Sequence, residues 1–549
     1  MKKIAIVAVL GFMPLVGAFA QQDTTVNRTV IVENEYNPTV MDASKINVMP
    51  QMSEPKATKK NINYATSLRP VSAWDYQAMS PVVREWESAT AYRGYLRGGY
   101  GNNGNVDLAA GYLWDISKRD RLNVSASLDG WNGDLSYQEK DFASRLYNAK
   151  VALDYKHSFK KVDFLLGGNY HSQVFNYLVI EDYPFDGTEC NKNQHRNLGN
   201  AYMGFASTDK EMPIQFVAEL GLNYMGLKHT TIYLDKEKET NLYAKGNVWK
   251  SLNEESLLGL GVRFDNYAYS SKSADDASAL DLNPYYTLQN DRWNIHIGAH
   301  LDWWGGSEDK VYLSPDVNVE HRFAESYVLY AKAGGGRKLS SLYEWTGISP
   351  FWYDENIYAP VYTTLDAAIG LKGSPVDGLW FHLAGGYQIR ENDICLDLSH
   401  SSELYRVQNW VGDTKMVYGT ANLRYDYKDL WNVSLEGTYY SWDWENEGWN
   451  GGGDVSESAL SLKPELEILA EVGAKVMTGL RANVGYEYVK RCGDVHDPVN
   501  NLYIGADYSL LKNLNVYGKI NNILNKEYLG SYAYPAQGLN FLAGVTFQF

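Results

Sequence analysis

The sequence is short of cysteine, proline and long apolar runs, and each shortage narrows its class. Only three cysteines occur in 549 residues, an odd number that cannot all pair within one chain. Cys190, Cys395 and Cys492 do not have the spacing of a metal site; one disulfide between two loops and three unpaired thiols are both open readings. Only 16 prolines are present, which leaves room for many uninterrupted strands. No apolar run beyond residue 20 reaches the roughly 20 residues of a helical membrane span. If the mature chain sits in a membrane it must be a closed barrel, because only helices and barrels satisfy their backbone groups in lipid. Basic charge is also scarce. The formal net charge is −16, and no basic stripe with interleaved aromatics is seen, which argues against a nucleic-acid partner. Catalytic signatures are missing too: there is no Gly-x-Ser-x-Gly elbow, no His-Glu-x-x-His and no phosphate loop. His400 beside Ser399 and Ser401, and His496 between Asp494 and Asp497, read as loop polar groups. No enzyme activity, cofactor or metal is expected.

What is abundant is tyrosine, tryptophan and glycine, at 43, 16 and 48 residues, a composition of short aromatic strands and tight turns. The end of the chain is the clearest strand. Phe541, Ala543, Val545, Phe547 and Phe549 alternate with Leu542, Gly544, Thr546 and Gln548, a period of two that gives one face lipid and the other a lumen. The same period recurs upstream, as in Leu122–Leu128, Val151–Tyr155, Val311–Val319 and Leu480–Tyr488. Short turns are expected near Ser117, Phe159, Asp209, Asn253, Asp291, Ala324, Pro375, Asp429, Gly473 and Lys512. Longer connections are expected near Asn132, Asp186, Lys236, Ser273, Asp354, Ser401, Asn450, Asp494 and Tyr532. Short periplasmic turns and long outer loops are the rule for outer-membrane barrels. The fold expected is therefore all-β: an antiparallel transmembrane outer-membrane barrel of about 22 strands over residues 89–549, with both ends on the periplasmic side.

The start of the chain reads differently. Met1-Lys2-Lys3, an apolar run and Ala18-Phe19-Ala20 make residues 1–20 a secretory signal peptide cleaved after Ala20. Residues 21–88, with several prolines and no hairpin turns, read as an extended periplasmic arm. Within it, Thr29, Val30, Ile31 and Val32 form a short β-prone run.

Near the carboxy terminus a family resemblance appears. Gly518-Lys519-Ile520-Asn521-Asn522-Ile523-Leu524-Asn525-Lys526-Glu527-Tyr528, then Tyr534-Pro535-Ala536-Gln537-Gly538, then the strand ending in Phe549, resemble the end of TonB-dependent receptors. The specific part covers about the last 35 residues, counted from the motif and the closing strand. The resemblance, of the kind found in Bacteroidetes-type bacteria, implies an outer-membrane transport receptor surrounded by lipid. By the same resemblance Thr29–Val32 looks like the segment such receptors add as a strand to a TonB-like periplasmic partner. Gly544, Phe547 and Phe549 resemble the signal read by the barrel-assembly machinery. The chain departs from the family in having only residues 21–88 where the family's plug domain would lie, too few for such a core.

Two aromatic segments stand out as candidate ligand loops. One holds Trp345 and Trp352 with Glu344, Asp354 and Glu355; the other holds Trp442, Trp444 and Trp449 with Asp443, Glu445 and Glu447. Aromatics beside carboxylates can stack sugars or grip a protein, or fold inward and stop the mouth, or extend an aromatic girdle at the membrane interface. Two functions from different classes follow: a transport or receptor protein, as pore or uptake channel, and a non-transporting scaffold subunit of an outer-membrane complex.

Overall fold

A computed structural model describes residues 92–178, 192–229, 237–270, 275–306, 309–324, 326–338, 340–351, 360–400, 405–445, 456–530 and 532–549. The expected signal peptide with Ala18 and Ala20, the arm with Thr29–Val32, and Cys190, Trp352 and Trp449 lie outside these residues.

The described chain is one sheet of 22 strands. The first eleven are β1 (Gly94–Gly101), β2 (Val106–Asp115), β3 (Asp120–Tyr137), β4 (Lys140–Ser158), β5 (Val162–Asn176), β6 (Asn193–Ser207), β7 (Gln215–Leu227), β8 (Lys238–Ser251), β9 (Ser256–Tyr269), β10 (Ala277–Gln289) and β11 (Trp293–Gly305). They are followed by β12 (Lys310–Phe323), β13 (Tyr327–Arg337), β14 (Tyr362–Gly373), β15 (Leu379–His400), β16 (Tyr405–Tyr427), β17 (Trp431–Glu445), β18 (Pro464–Met477), β19 (Leu480–Arg491), β20 (Val499–Leu511), β21 (Leu514–Asn521) and β22 (Asn540–Gln548). Each strand pairs antiparallel with the next, and β22 pairs with β1 in the register Leu96↔Phe547 and Gly98↔Val545. The sheet is thus a closed barrel with no free edge, as lipid demands. Among the described residues no helix is long and apolar enough to cross a membrane.

The two faces sort by chemistry. On β22 Phe541, Val545, Phe547 and Phe549 face outward, while Leu542 is buried. On β12 Val311 and Leu313 are outward and two-thirds exposed, while the alternate residues Tyr312 and Ser314 are buried. Exposed aromatics gather at two levels of the outer face. Trp114, Phe159, Trp293, Trp380, Trp431 and Phe549 mark the short-turn end, and Tyr100, Tyr170, Trp303, Tyr387 and Tyr439 mark the other. From Trp293 to Trp303 the strand climbs ten residues; at about 3.3 Å each and a tilt of about 45° this spans about 23 Å, the height of a barrel's apolar band. These are the interfacial aromatic girdles of a membrane barrel.

The lumenal face is braced by tyrosines lying flat on glycines. Tyr202 crosses Gly167, Tyr285 crosses Gly259, Tyr418 crosses Gly386 and Tyr503 crosses Gly485, each glycine on a neighbouring strand where an added Cβ would collide with the ring. Each phenol then donates to a group one strand further on: Tyr202 to Asp154 at 2.6 Å, Tyr285 to Asn247 at 2.9 Å and Tyr503 to Glu471 at 3.0 Å. Three strands are tied by one side chain. The same device closes the barrel: Tyr517 of β21 crosses Gly544 of β22 and Gly99 of β1 and donates to Asp107 of β2 at 2.9 Å. The Phe549 carbonyl accepts from the Arg93 and Gly94 amides, both at 2.8 Å.

Several expectations need correction. Asn132 is not in a loop but inside β3, which runs on to a two-residue turn. Gln138 and Glu139 there both have positive φ, 50° and 63°, the turn whose twist matches a tight hairpin. Gly473 lies within β18, and the turn comes later, at Gly479 with φ of 83°. Cys395 sits on β15 rather than in a loop. Two outer connections not picked out from the sequence, at 102–105 and 306–309, complete the count of strands.

Substituting Gly544→Val should prevent the last strand from closing, because Tyr517 and the Gly98 carbonyl occupy the space. Tyr517→Phe should fold but lose about 1.5–3 kcal/mol, the usual worth of a hydrogen bond to a carboxylate. Heat-modifiable gel migration and urea titration of the two variants check this; wild-type behaviour of Gly544→Val would refute the seam packing.

Candidate functional site

The barrel's outer end is roofed from inside its own wall. The connection between β13 and β14 begins with a short helix, α1 (Leu342–Trp345). Ser340-Ser341-Leu342-Tyr343-Glu344 reads as a near capping box. The Ser341 hydroxyl accepts from the Glu344 amide at 3.1 Å, and the Glu344 carboxylate accepts from the Ser340 amide at 2.7 Å. The helix is tied to the wall by the Leu342 amide donating to Glu239 and by the Ser340 hydroxyl meeting the Tyr267 phenol at 3.1 Å. The chain then carries Phe351 to the centre. There it stacks on Tyr534 with centroids 3.7 Å apart and planes 9° from parallel, and meets the edge of Phe175 at 5.5 Å.

Tyr534 belongs to the connection between β21 and β22, the segment that carries the family-like motif. Asn522 is buried and braces that loop, accepting from the Lys526 amide at 3.0 Å and donating to the Gln537 carbonyl at 3.0 Å. Asn525 accepts from the Leu539 amide at 2.8 Å. Both asparagines have positive φ, 48° and 49°, which this residue type tolerates better than most. The Tyr534 phenol accepts from the Leu178 amide at 2.7 Å, and the Tyr405 amide donates to the Leu178 carbonyl at 3.0 Å. Phe142 and Leu146 of β4, Leu398 of β15 and Val407 of β16 complete one apolar cluster with these rings. Walls far apart in the chain are thereby joined across the mouth.

Below this cap the lumenal wall of β9 to β13 carries ionised groups. Asp265 is fully buried and receives Arg263 at 2.8 Å and Arg337 at 2.9 Å. Arg337 also faces Asp302 at 3.7 Å and donates to Tyr267 at 3.0 Å. His300 meets Asp281 at 3.0 Å, and His296 meets Asp316 at 2.9 Å. Elsewhere the lumen wall is open to solvent: Lys332 and Lys372 keep 43% and 39% of their side-chain surface exposed.

The candidate ligand tryptophans are placed mostly inward. Trp345 is buried among Leu198, Met225, Val361 and Ile394. Trp444 is buried with Cys395, Ala459 and Leu460. Trp442 is half-buried, donates to the Pro464 carbonyl at 2.7 Å and has the Lys463 ammonium 4.9 Å from a ring centroid. Of the barrel-end signal residues, Gly544 lies under Tyr517, and Phe547 and Phe549 face lipid. His496 approaches Asp397 at 3.6 Å. The ionised wall was not found by sequence reading. Its signal is the period-two run of charged and polar residues on successive strands: Arg263-x-Asp265, Asp281-x-Asn283, and His296 with His300-x-Asp302.

The geometry defines a class, the closed 22-strand outer-membrane barrel with a loop-capped mouth. No protein-family model matches the sequence, and no curated protein does. Solved structures match in fold. The FrpB iron transporter of Neisseria meningitidis superposes with a TM-score of 0.65 at 11% identity, over 83% of this chain and 81% of that one. The ferric-catecholate import receptor Fiu of E. coli K12 gives 0.61 at 11% identity, over 84% and 82%. The copper transporter OprC gives 0.60 at 13% identity, over 85% and 82%. At such identities the likeness is one of fold, and it upholds the expected resemblance to TonB-dependent-receptor barrels at that level.

Glu344 gives the cap a pH dependence. Burial raises its carboxyl above the ordinary value, opposed by Arg263, the Ser340 amide and Arg337 and reinforced by Asp265. A group raised on docking binds its proton more tightly when docked. Its contribution is therefore complete below the ordinary carboxylate range and is lost as pH rises through the docked value. Hydrogen exchange across 340–348, corrected for intrinsic rates, should show protection falling with rising pH, and Glu344→Gln should reduce the slope, the buried Glu239 carboxylate that accepts from the Leu342 amide supplying the rest. An unchanged slope in that variant would contradict the assignment.

Proposed function

We propose that the protein is an outer-membrane transport receptor whose lumen is a gated path, closed from outside by the Phe351–Tyr534 cap. The observation that carries this reading is the pairing of that cap with a charged, solvent-exposed wall beneath it, at Lys332 and Lys372. A barrel this wide is leaky unless something closes it. A scaffold needs no exposed ionised lumen, whereas a solute path does. Support also comes from the fold neighbours, whose names are those of an iron transporter, a ferric-catecholate import receptor and a copper transporter. In this reading the arm engages a TonB-like periplasmic partner through Thr29–Val32, and Gly544, Phe547 and Phe549 present the closing strand to the assembly machinery. Of the described tryptophans in the two aromatic segments, Trp345 anchors the cap, and Trp442 and Trp444 pack beside it at the rim.

Replacing Phe351 and Tyr534 together by alanine removes about 3–5 kcal/mol of packing at each position. In planar bilayers the wild type should be mostly silent and the double variant should show frequent open events, with heat-modifiable migration confirming an intact barrel. A folded double variant as silent as the wild type would contradict the gate.

A further inference from the structure

We propose that the lumenal wall holds one divalent transition-metal ion between Asp281, His300 and Asp302. The three offer one ligand atom each, and these atoms lie within 4.8 Å of one another. Tetrahedral ligands at about 2.1 Å from an ion stand about 3.4 Å apart, so modest side-chain rotation closes the site. All three belong to adjacent antiparallel strands, with Asp281 of β10 directly opposite Asp302 of β11, so the backbone fixes their spacing.

A second observation points at the same place. Asp302 is only 2% exposed, and its Oδ2 has no hydrogen-bond partner. A buried carboxylate oxygen left without a partner is costly, and Oδ1 of the same group is the one that faces Arg337.

The space above the site is kept free. Gly336 has φ of 103°, and a Cβ there would stand 3.9 Å from the His300 ring and 4.0 Å from Asp302 Oδ2. A larger side chain at this position would cover the pair. One imidazole nitrogen with two carboxylates suits Zn²⁺, Fe²⁺, Co²⁺ or Mn²⁺ rather than a soft thiophilic ion. Binding at His300 Nδ1 leaves the ring's proton on Nε2, 2.9 Å from the Asn283 amide, which must give up its 2.8 Å bond to Asp316 if it turns to present its oxygen. The imidazole stays neutral and no further co-reactant is needed. This site was not expected from the sequence, and it does not depend on the channel reading.

The test uses the full-length protein, purified in detergent and stripped with chelator, titrated with Co²⁺ and followed by visible absorption and equilibrium dialysis. One Co²⁺ per chain is expected, competed by Zn²⁺. His300→Gln and Asp302→Asn should each weaken it by about 100-fold or more, beyond what loss of an outer-shell partner does. Heat-modifiable migration shows whether each variant is folded, and the isosteric Asp302→Asn guards against failure of the histidine variant. Absence of Co²⁺ binding by the wild type would overturn the proposal; that is the result expected if His300 is instead an imidazolium paired with Asp281. Equal binding by both folded variants would overturn it too.

Discussion

Everything in this molecule depends on the pairing of β22 with β1. In lipid an unpaired strand edge would strand a row of amides and carbonyls, each costing several kcal/mol. Closure therefore fixes the whole sheet, and the chain invests its last residues in it. Val545 and Phe547 face lipid, Gly544 leaves room for the Tyr517 ring, and the terminal carbonyl is bonded to the first residues of the barrel. The spacing that resembles an assembly signal thus has a packing reason as well. Its glycine is where a tyrosine crosses the seam.

The same tyrosine-on-glycine device repeats around the lumen, which gives the high counts of both residues a common cause. A tyrosine on the lumenal face can cover a glycine and reach its acceptor only if the neighbouring strand offers the glycine and the strand beyond it the acceptor, both in register. That constraint fixes pairing locally, one hairpin at a time, and adds to the outward apolar pattern that fixes it globally. Above the membrane band the longer strands continue as a rim, with β15 and β16 reaching 22 and 23 residues. The rim gives the cap something to pack on. Two connections distant in sequence, one carrying Phe351 and one carrying Tyr534, meet over it.

The barrel was readable from the sequence because its signals are local. Alternation on β12 and β22, and the turns near Ser117, Phe159, Asp209 and Asp429, need only neighbouring residues to be seen. Where reading failed, a non-local or conformational fact decided. Asn132 looked like a turn residue, but the strand continues because Gln138 and Glu139 accept the left-handed region. Gly473 looked like a turn, yet it serves inside β18. The motif at Asn521–Tyr528 was legible as a family likeness, but not its role as a brace for the loop that delivers Tyr534. The aromatic segments were correctly seen as unusual; that Trp345 and Trp444 are buried depends on contacts with Val361 and Cys395 that sequence distance hides. The ionised wall was missed for the same reason. Asp281, His300 and Asp302 come together only when β10 and β11 are set in register.

The most direct test of the account is the closing register itself. In a chain whose native cysteines are replaced by serine, Leu96→Cys combined with Phe547→Cys places two thiols on directly opposed residues. Opposed Cα atoms of an antiparallel pair stand about 4.5–5.5 Å apart, within disulfide range. Mild oxidation in the outer membrane should link this pair nearly completely. Leu96→Cys with Val545→Cys, two residues out of register, should link poorly. Efficient linkage of the second pair, or none of the first, would show that the barrel does not close as described.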